Sequence, residues 1–168
     1  MQRHRKIEQL VWAAARDVGP FGERKRRPRG AKGLGVKYEA DLAAALPAAR
    51  RGQWFEFLDR NGRGWCQTDL LLRVGDSLVV LEAKHTWTLA GHSQIELLYR
   101  PILEKCGTLP VLGIVVCKHL IPEMPVRVAR TMDEALAIAQ TRRPVALHWI
   151  GSGRLDYEMR STTVPVAA

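Results

Sequence analysis

The sequence predicts an α/β fold whose elements run α-β-β-β-α-β, and three observations carry that expectation. Strand-like segments follow closely at 53–59, 65–74 and 77–87, separated by Asn61-Gly62 and Gly75-Asp76, dipeptides that close tight hairpins because they tolerate positive φ. The third segment, SLVVLEAKHTW, is apolar on both faces, Leu78 and Val80 on one and Val79, Leu81 and Ala83 on the other, as a strand covered on two sides requires. Helical stripes of apolar residues precede and follow these strands.

Taken in order, Ile7, Leu10, Val11, Ala14, Ala15 and Val18 recur at helical spacing and predict an amphipathic helix over 5–18. Its stripe needs a cover, either the body of the protein or a second copy of the chain, so a homodimer stays open. The segment GERKRRPRGAKGLG (22–35) places six basic residues among glycine and proline, a composition unsuited to a core. A helix fits 36–46, with Tyr38, Leu42, Ala45 and Leu46 as its stripe, Pro47 as its stop and Glu39 turned toward the body. Residues 1–35 thus read as an N-terminal helix and basic arm, and 36–168 as a single domain. After the strands, Ser93-Gln-Ile-Glu96 reads as a capping box opening a helix that Pro101 kinks or breaks. A buried strand is expected at 111–119, and Thr131-Met-Asp-Glu134 is a second capping box for a helix ending near Gln140. A last strand falls at 145–150.

The composition, 46% hydrophobic and 26% charged over 168 residues, suits one domain with a core. No apolar run approaches the roughly 18 residues of a membrane span, and the N-terminus lacks a signal peptide's apolar centre, so the expected location is the cytoplasm, with no membrane partner. Cys66, Cys106 and Cys117 are odd in number and lack CxxC spacing, which argues against a disulfide framework and a standard zinc site. The net charge of +9 is concentrated: residues 1–37 carry 11 Lys and Arg against 3 Asp and Glu, and residues 38–168 carry 15 against 14. Arg24, Lys25, Arg26, Arg27, Arg29 and Lys32 are therefore the candidate contacts to nucleic-acid phosphates, the bland alternative being a solubilising linker. His85, His92 and His119 match no nucleophile pattern, and no G-x-S-x-G or P-loop spacing occurs. Trp54, Trp65 and Trp87 are expected to pack in the core. Lys118, Arg127 and Arg130 flank a proline-containing loop suited equally to DNA or to solvent.

The hairpin closed by Gly75-Asp76 carries the chemistry. If Val74 faces Ser77, Asp69 falls opposite Glu82, and like charges so placed destabilise a sheet. A hard divalent cation, Mg²⁺ or Mn²⁺, resolves the conflict, because it takes carboxylate oxygens and leaves positions for water and a phosphate. Lys84 continues the face of Glu82 by the strand's period of two and is placed to assist an attacking water or stabilise charge on the phosphate. The bland reading is an exposed ion pair worth about 0.2–1 kcal/mol.

Asp69 with Glu82-Ala83-Lys84, preceded by a helical Glu39 in α-β-β-β-α-β order, resembles the PD-(D/E)XK nuclease superfamily over residues 36–120, and the spacing is similar to that of its nuclease-related and junction-resolving branches. Thr68 stands where the family name has proline. The resemblance implies a restriction-endonuclease-like core, a mixed central sheet flanked by helices. It also implies a metal held by Asp69, Glu82 and the Ala83 carbonyl, with Glu39 bonding metal waters and Lys84 assisting the nucleophile. Gln94 and Tyr99 match a glutamine and tyrosine that some branches carry, and Gln94 is taken as a site residue. Five apart, they stand about 140° around an α-helix and share no face unless Pro101 distorts it; Tyr99 is expected in the core. The expected function is a Mg²⁺- or Mn²⁺-dependent DNA endonuclease, structure-specific cutting included. The alternatives are an exonuclease or Holliday-junction-type resolvase of the same fold, or a non-catalytic nucleic-acid binder.

Overall fold

The computed structural model describes residues 6–22, 28–152 and 155. Arg24, Lys25, Arg26 and Arg27 lie outside the described residues. In chain order the elements are β1 (Trp12–Arg16), α1 (Gly30–Ala45), β2 (Arg50–Arg51), β3 (Trp54–Asp59), β4 (Gly62–Gln67), β5 (Leu70–Val74) and β6 (Ser77–Thr86). There follow α2 (Leu89–Gln94), a π-helical turn (Ile95–Tyr99), α3 (Arg100–Cys106), β7 (Val111–His119), β8 (Arg127–Ala129), α4 (Met132–Gln140) and β9 (Val145–His148).

The class is α/β. A six-stranded sheet runs β2-β5-β6-β7-β9-β8, antiparallel from β2 to β6 and parallel from β6 onward, so it is mixed. Its central strands are buried on both faces, as the doubly apolar run in β6 requires. Val79 and Leu81 point to one face with Leu70, Leu72, Ile114 and Val116, where α1 and α4 cover them through Tyr38, Leu42, Met132 and Ala135. Val80, Leu71 and Val115 point to the other face, against Tyr99, Ile102, Phe55 and Phe57. Burying each such side chain contributes about 1.5–3 kcal/mol, which makes this sandwich the main source of stability.

The second face is closed partly by a small antiparallel sheet, β1-β3-β4. Here the structure departs from the helix expected over 5–18. Residues 12–16 pair with Leu58 to Trp54 along the edge of β3, and Ala13 and Ala15 turn into the core while Trp12, Ala14 and Arg16 turn out. The free edge of β3 supplies backbone partners that outweigh the helical propensity of three alanines. A second departure is at 65–74, expected as one strand. It divides at Thr68-Asp69, β4 finishing in the small sheet and β5 starting in the large one. The third concerns Ser93, which sits inside α2 and not at its N-cap; the helix starts after Thr88. α1 also starts earlier than expected: Gly30–Gly35, with Lys32, is its first part, not a linker, and Arg29 is its N-cap residue. The capping box at Thr131 forms as expected, Glu134 N–H donating to its hydroxyl at 3.2 Å.

Gly113 in β7 lies directly under the π turn, and a Cβ there would overlap the Ile95 side chain. Gly113→Ala should therefore overpack this layer and cost about 1–3 kcal/mol, read as a lower urea midpoint; an unchanged midpoint contradicts the packing described.

Candidate active site

The β5–β6 hairpin has the register expected from its turn, Val74 against Ser77 through Leu70 against Leu81. One step further, Asp69 and Glu82 stand opposite each other, but the ladder stops there. Asp69 uses its side chain instead, its Oδ2 accepting the Ala83 N–H at 2.8 Å. Its own carbonyl accepts from Gly52 N–H at 3.0 Å, and the adjacent Thr68 N–H donates to the Gln53 carbonyl at 3.0 Å. These bonds together hold the corner where the chain leaves one sheet for the other.

Glu82 is 1% exposed. Its Oε1 pairs with Lys84 Nζ at 2.5 Å, while its Oε2 is buried with no hydrogen-bond partner among the described residues. Burial first, then the neighbouring charges of Glu82 and Glu39, push the Asp69 carboxyl up to about 8, against the partial relief of the Ala83 N–H and Lys84. The Glu82 carboxyl is raised as well, by burial, with Lys84 first and then Tyr99 and Asp69 opposing. An ionised carboxylate buried as Glu82 is costs several kcal/mol. Lys84 is half-shielded under α2, where Gly91 allows close approach: a Cβ there would meet Val115 at 3.2 Å and Lys84 Cε at 3.5 Å.

Gln94 and Tyr99 do meet. The turn between them is π-helical, and the Arg100 N–H reaches back five residues to the Ile95 carbonyl. Pro101, near the start of α3, has no N–H to donate, and re-routed bonding just before it widens the turn. Residues five apart then share a face. Gln94 Nε2 donates to the Tyr99 hydroxyl, which donates to the Gln67 carbonyl at 2.8 Å, two residues before Asp69. Tyr99 is thus core, as expected, and also ties the π turn to the carboxylate corner. Its hydroxyl is held well above its usual range by burial and by Glu82 and Asp69. In the sequence, only Pro101 hints at the π turn.

Glu39 stands at the rim. It is near enough to raise the Asp69 carboxyl, and its Oε1 accepts from Arg51 Nε at 2.9 Å. Among the described residues, no three His, Cys, Asp or Glu side chains converge on one metal position. The side-chain oxygen donors at hand are therefore those of the Asp69–Glu82 pair. A buried carboxyl with one oxygen unpartnered, beside a half-buried second carboxyl, fits a hard cation such as Mg²⁺ or Mn²⁺.

The raised Asp69 carboxyl sets a pH dependence for the cation-free protein. Folded Asp69 retains its proton to about 8, whereas its ordinary value is 3.8, so the folded state binds the extra proton between those values. Stability in chelator should therefore fall as pH rises through that window, and Asp69→Asn should flatten the fall. Melting curves across the window check this; equal slopes for both proteins contradict it. Compared with family models, curated proteins and solved structures, the chain matches none.

Proposed function

We propose that this chain is a divalent-cation-dependent endonuclease that hydrolyses phosphodiester bonds in DNA, in the manner of the PD-(D/E)XK superfamily. The observation that carries the reading is the Asp69–Glu82 pair, Glu82 buried with its Oε2 unpartnered and Asp69 half-buried opposite it, on a central strand that delivers Lys84 on the same face. A structural ion pair would not require the second carboxyl, and an exposed one would not be buried. The mixed sheet and the helices on both its faces are compatible with the superfamily's core.

When bound, a Mg²⁺ or Mn²⁺ ion supplies Lewis-acid activation of water and neutralises charge on the phosphate. Asp69, Glu82 and the Ala83 carbonyl would hold it. Lys84 brings a positive charge with its stem clamped beneath α2, suited to stabilising negative charge that builds on phosphate oxygens. Glu39 is placed at the rim for hydrogen bonds to ordered water, once released from Arg51. Gln94 acts through Tyr99, whose hydroxyl holds the Gln67 carbonyl and so the strand that leads into Asp69. The basic residues Arg24, Lys25, Arg26, Arg27, Arg29 and Lys32 would follow the phosphate backbone.

Purified protein incubated with plasmid DNA and Mg²⁺ or Mn²⁺ tests this directly. Glu82→Gln should lower cleavage by about 100-fold or more while duplex affinity in chelator stays unchanged, since it removes a cation ligand and leaves the phosphate-binding groups in place. Lys84→Ala should lower turnover by about 100-fold with calorimetric Mg²⁺ binding retained. Full cleavage by the Glu82 variant sinks the assignment.

Replacing Arg24, Lys25, Arg26 and Arg27 with serine should weaken binding to all duplexes alike and flatten the slope of log K against log[salt] by up to about 3.6 units, near 0.9 for each phosphate no longer neutralised. An unchanged slope returns the segment to a linker.

A further inference from the structure

We propose that the outward face of the small sheet β1-β3-β4 is a docking platform for unpaired DNA. Its pairing sets three rows across the face: Arg16, Trp54 and Gln67; Ala14, Glu56 and Trp65; and Trp12, Leu58 and Arg63. The expectation that Trp54 and Trp65 fill the core does not hold. Phe55 and Phe57 take the inward positions, and the half-buried indoles of Trp54 and Trp65 lie on the outward side, 6.5 Å apart between ring centroids. Trp12 is 38% exposed, with the Arg16 guanidinium 5.3 Å from its ring centre. Phe21, 77% exposed, sets its edge on Trp54. Glu56 is buried between Arg16 and Arg63 and aligns both guanidiniums at the surface, at 2.8 and 2.5 Å.

Aromatic planes interleaved with arginines match the chemistry of a single strand, whose bases offer free faces for stacking and whose phosphates take guanidinium; a duplex hides those faces within its own stack. The occupant is a polyanion and not a second copy of the chain. In sequence, the stretch that follows Gly22, 23–29, carries five Lys and Arg against one Glu, and the whole chain has a net charge of +9, so two copies repel each other where a polyanion is attracted. Position supports the assignment as well. β4 ends on this face at Gln67, and Asp69 follows two residues later, so the edge of the platform adjoins the carboxylate pair along the chain. The chain beyond β1 is fastened here, since Gly19 packs so closely on Trp54 that a Cβ would overlap the indole; Trp54 is thereby covered, and Trp12 and Trp65 are the rings left for stacking. DNA as the occupant rests on the nuclease reading above; the binding measurement does not depend on cleavage.

Of the five tryptophans, Trp87 and Trp149 are buried, so quenching of fluorescence by an oligothymidylate of about 20 nucleotides reports on the face. In chelator, the Trp12→Ala, Trp65→Leu double variant should bind this oligonucleotide about tenfold or more weaker, with affinity for a blunt duplex of equal length within about threefold of the parent. Should the double variant not fold by circular dichroism, Trp12→Ala alone, on the edge strand, should weaken the single strand about fivefold, and Trp12→Phe should restore most of it. Unchanged affinity for the oligonucleotide, or equal loss for oligonucleotide and duplex, overturns the proposal. So does a parent protein that sediments as a dimer and a variant that sediments as a monomer, which would make the face a self-interface. Cleavage by Glu82→Gln at the parent rate would defeat the proposed activity and leave this binding result standing.

Discussion

Two carboxyl groups held against each other inside the sheet are the constraint around which the rest of the structure is arranged. Glu82 is inside because β6 is central and covered on both faces; Asp69 is beside it because the Gly75-Asp76 turn sets the hairpin register. Neither can move out without shifting a strand by one residue, which would turn every apolar side chain of that strand to the wrong face. The electrostatic cost is thus locked in by the hydrophobic packing. It is moderated by the Ala83 N–H and the Lys84 ammonium, and left incomplete at Glu82 Oε2. A protein under selection for stability alone would do better with apolar residues at both positions.

The surroundings make that arrangement rigid. Because the chain changes sheets at Thr68-Asp69, the Asp69 backbone is tied to Gly52, its neighbour Thr68 to Gln53, and Gln67 to Tyr99. The last tie exists only because the helix widens into a π turn ahead of Pro101, bringing Gln94 and Tyr99 onto one face. A regular α-helix would have sent them about 140° apart. A local defect in one element therefore serves the geometry of another, which is a common placement for π turns.

The small sheet has a double consequence. Its inner face completes the second hydrophobic layer, so the layer behind the site is apolar. Its outer face is then left with the residues that the alternation of β-strands puts there, indoles and guanidiniums ordered around the buried Glu56. One strand, β4, belongs to that face and also delivers Asp69, so surface and site are mechanically continuous.

By itself the sequence determined whatever rests on short-range periodicity. A two-residue turn and a period of two were enough to read the β5–β6 register, the Asp69–Glu82 opposition and the shared face of Glu82 and Lys84; a Thr-x-x-Glu spacing was enough for the start of α4. The tertiary structure alone decided that 12–16 is a strand, because alanine-rich segments take the hydrogen bonds that a neighbour offers, and the β3 edge comes from more than thirty residues away in sequence. It alone divided 65–74 between two sheets, engaged Glu39 with Arg51, and sent Trp54 and Trp65 outward, since alternation says which residues share a face but not which face is covered. Proline signalled that the helix after β6 would be disturbed; only the competition among its neighbours for backbone partners decided that the disturbance would be a π turn joining Gln94 to Tyr99.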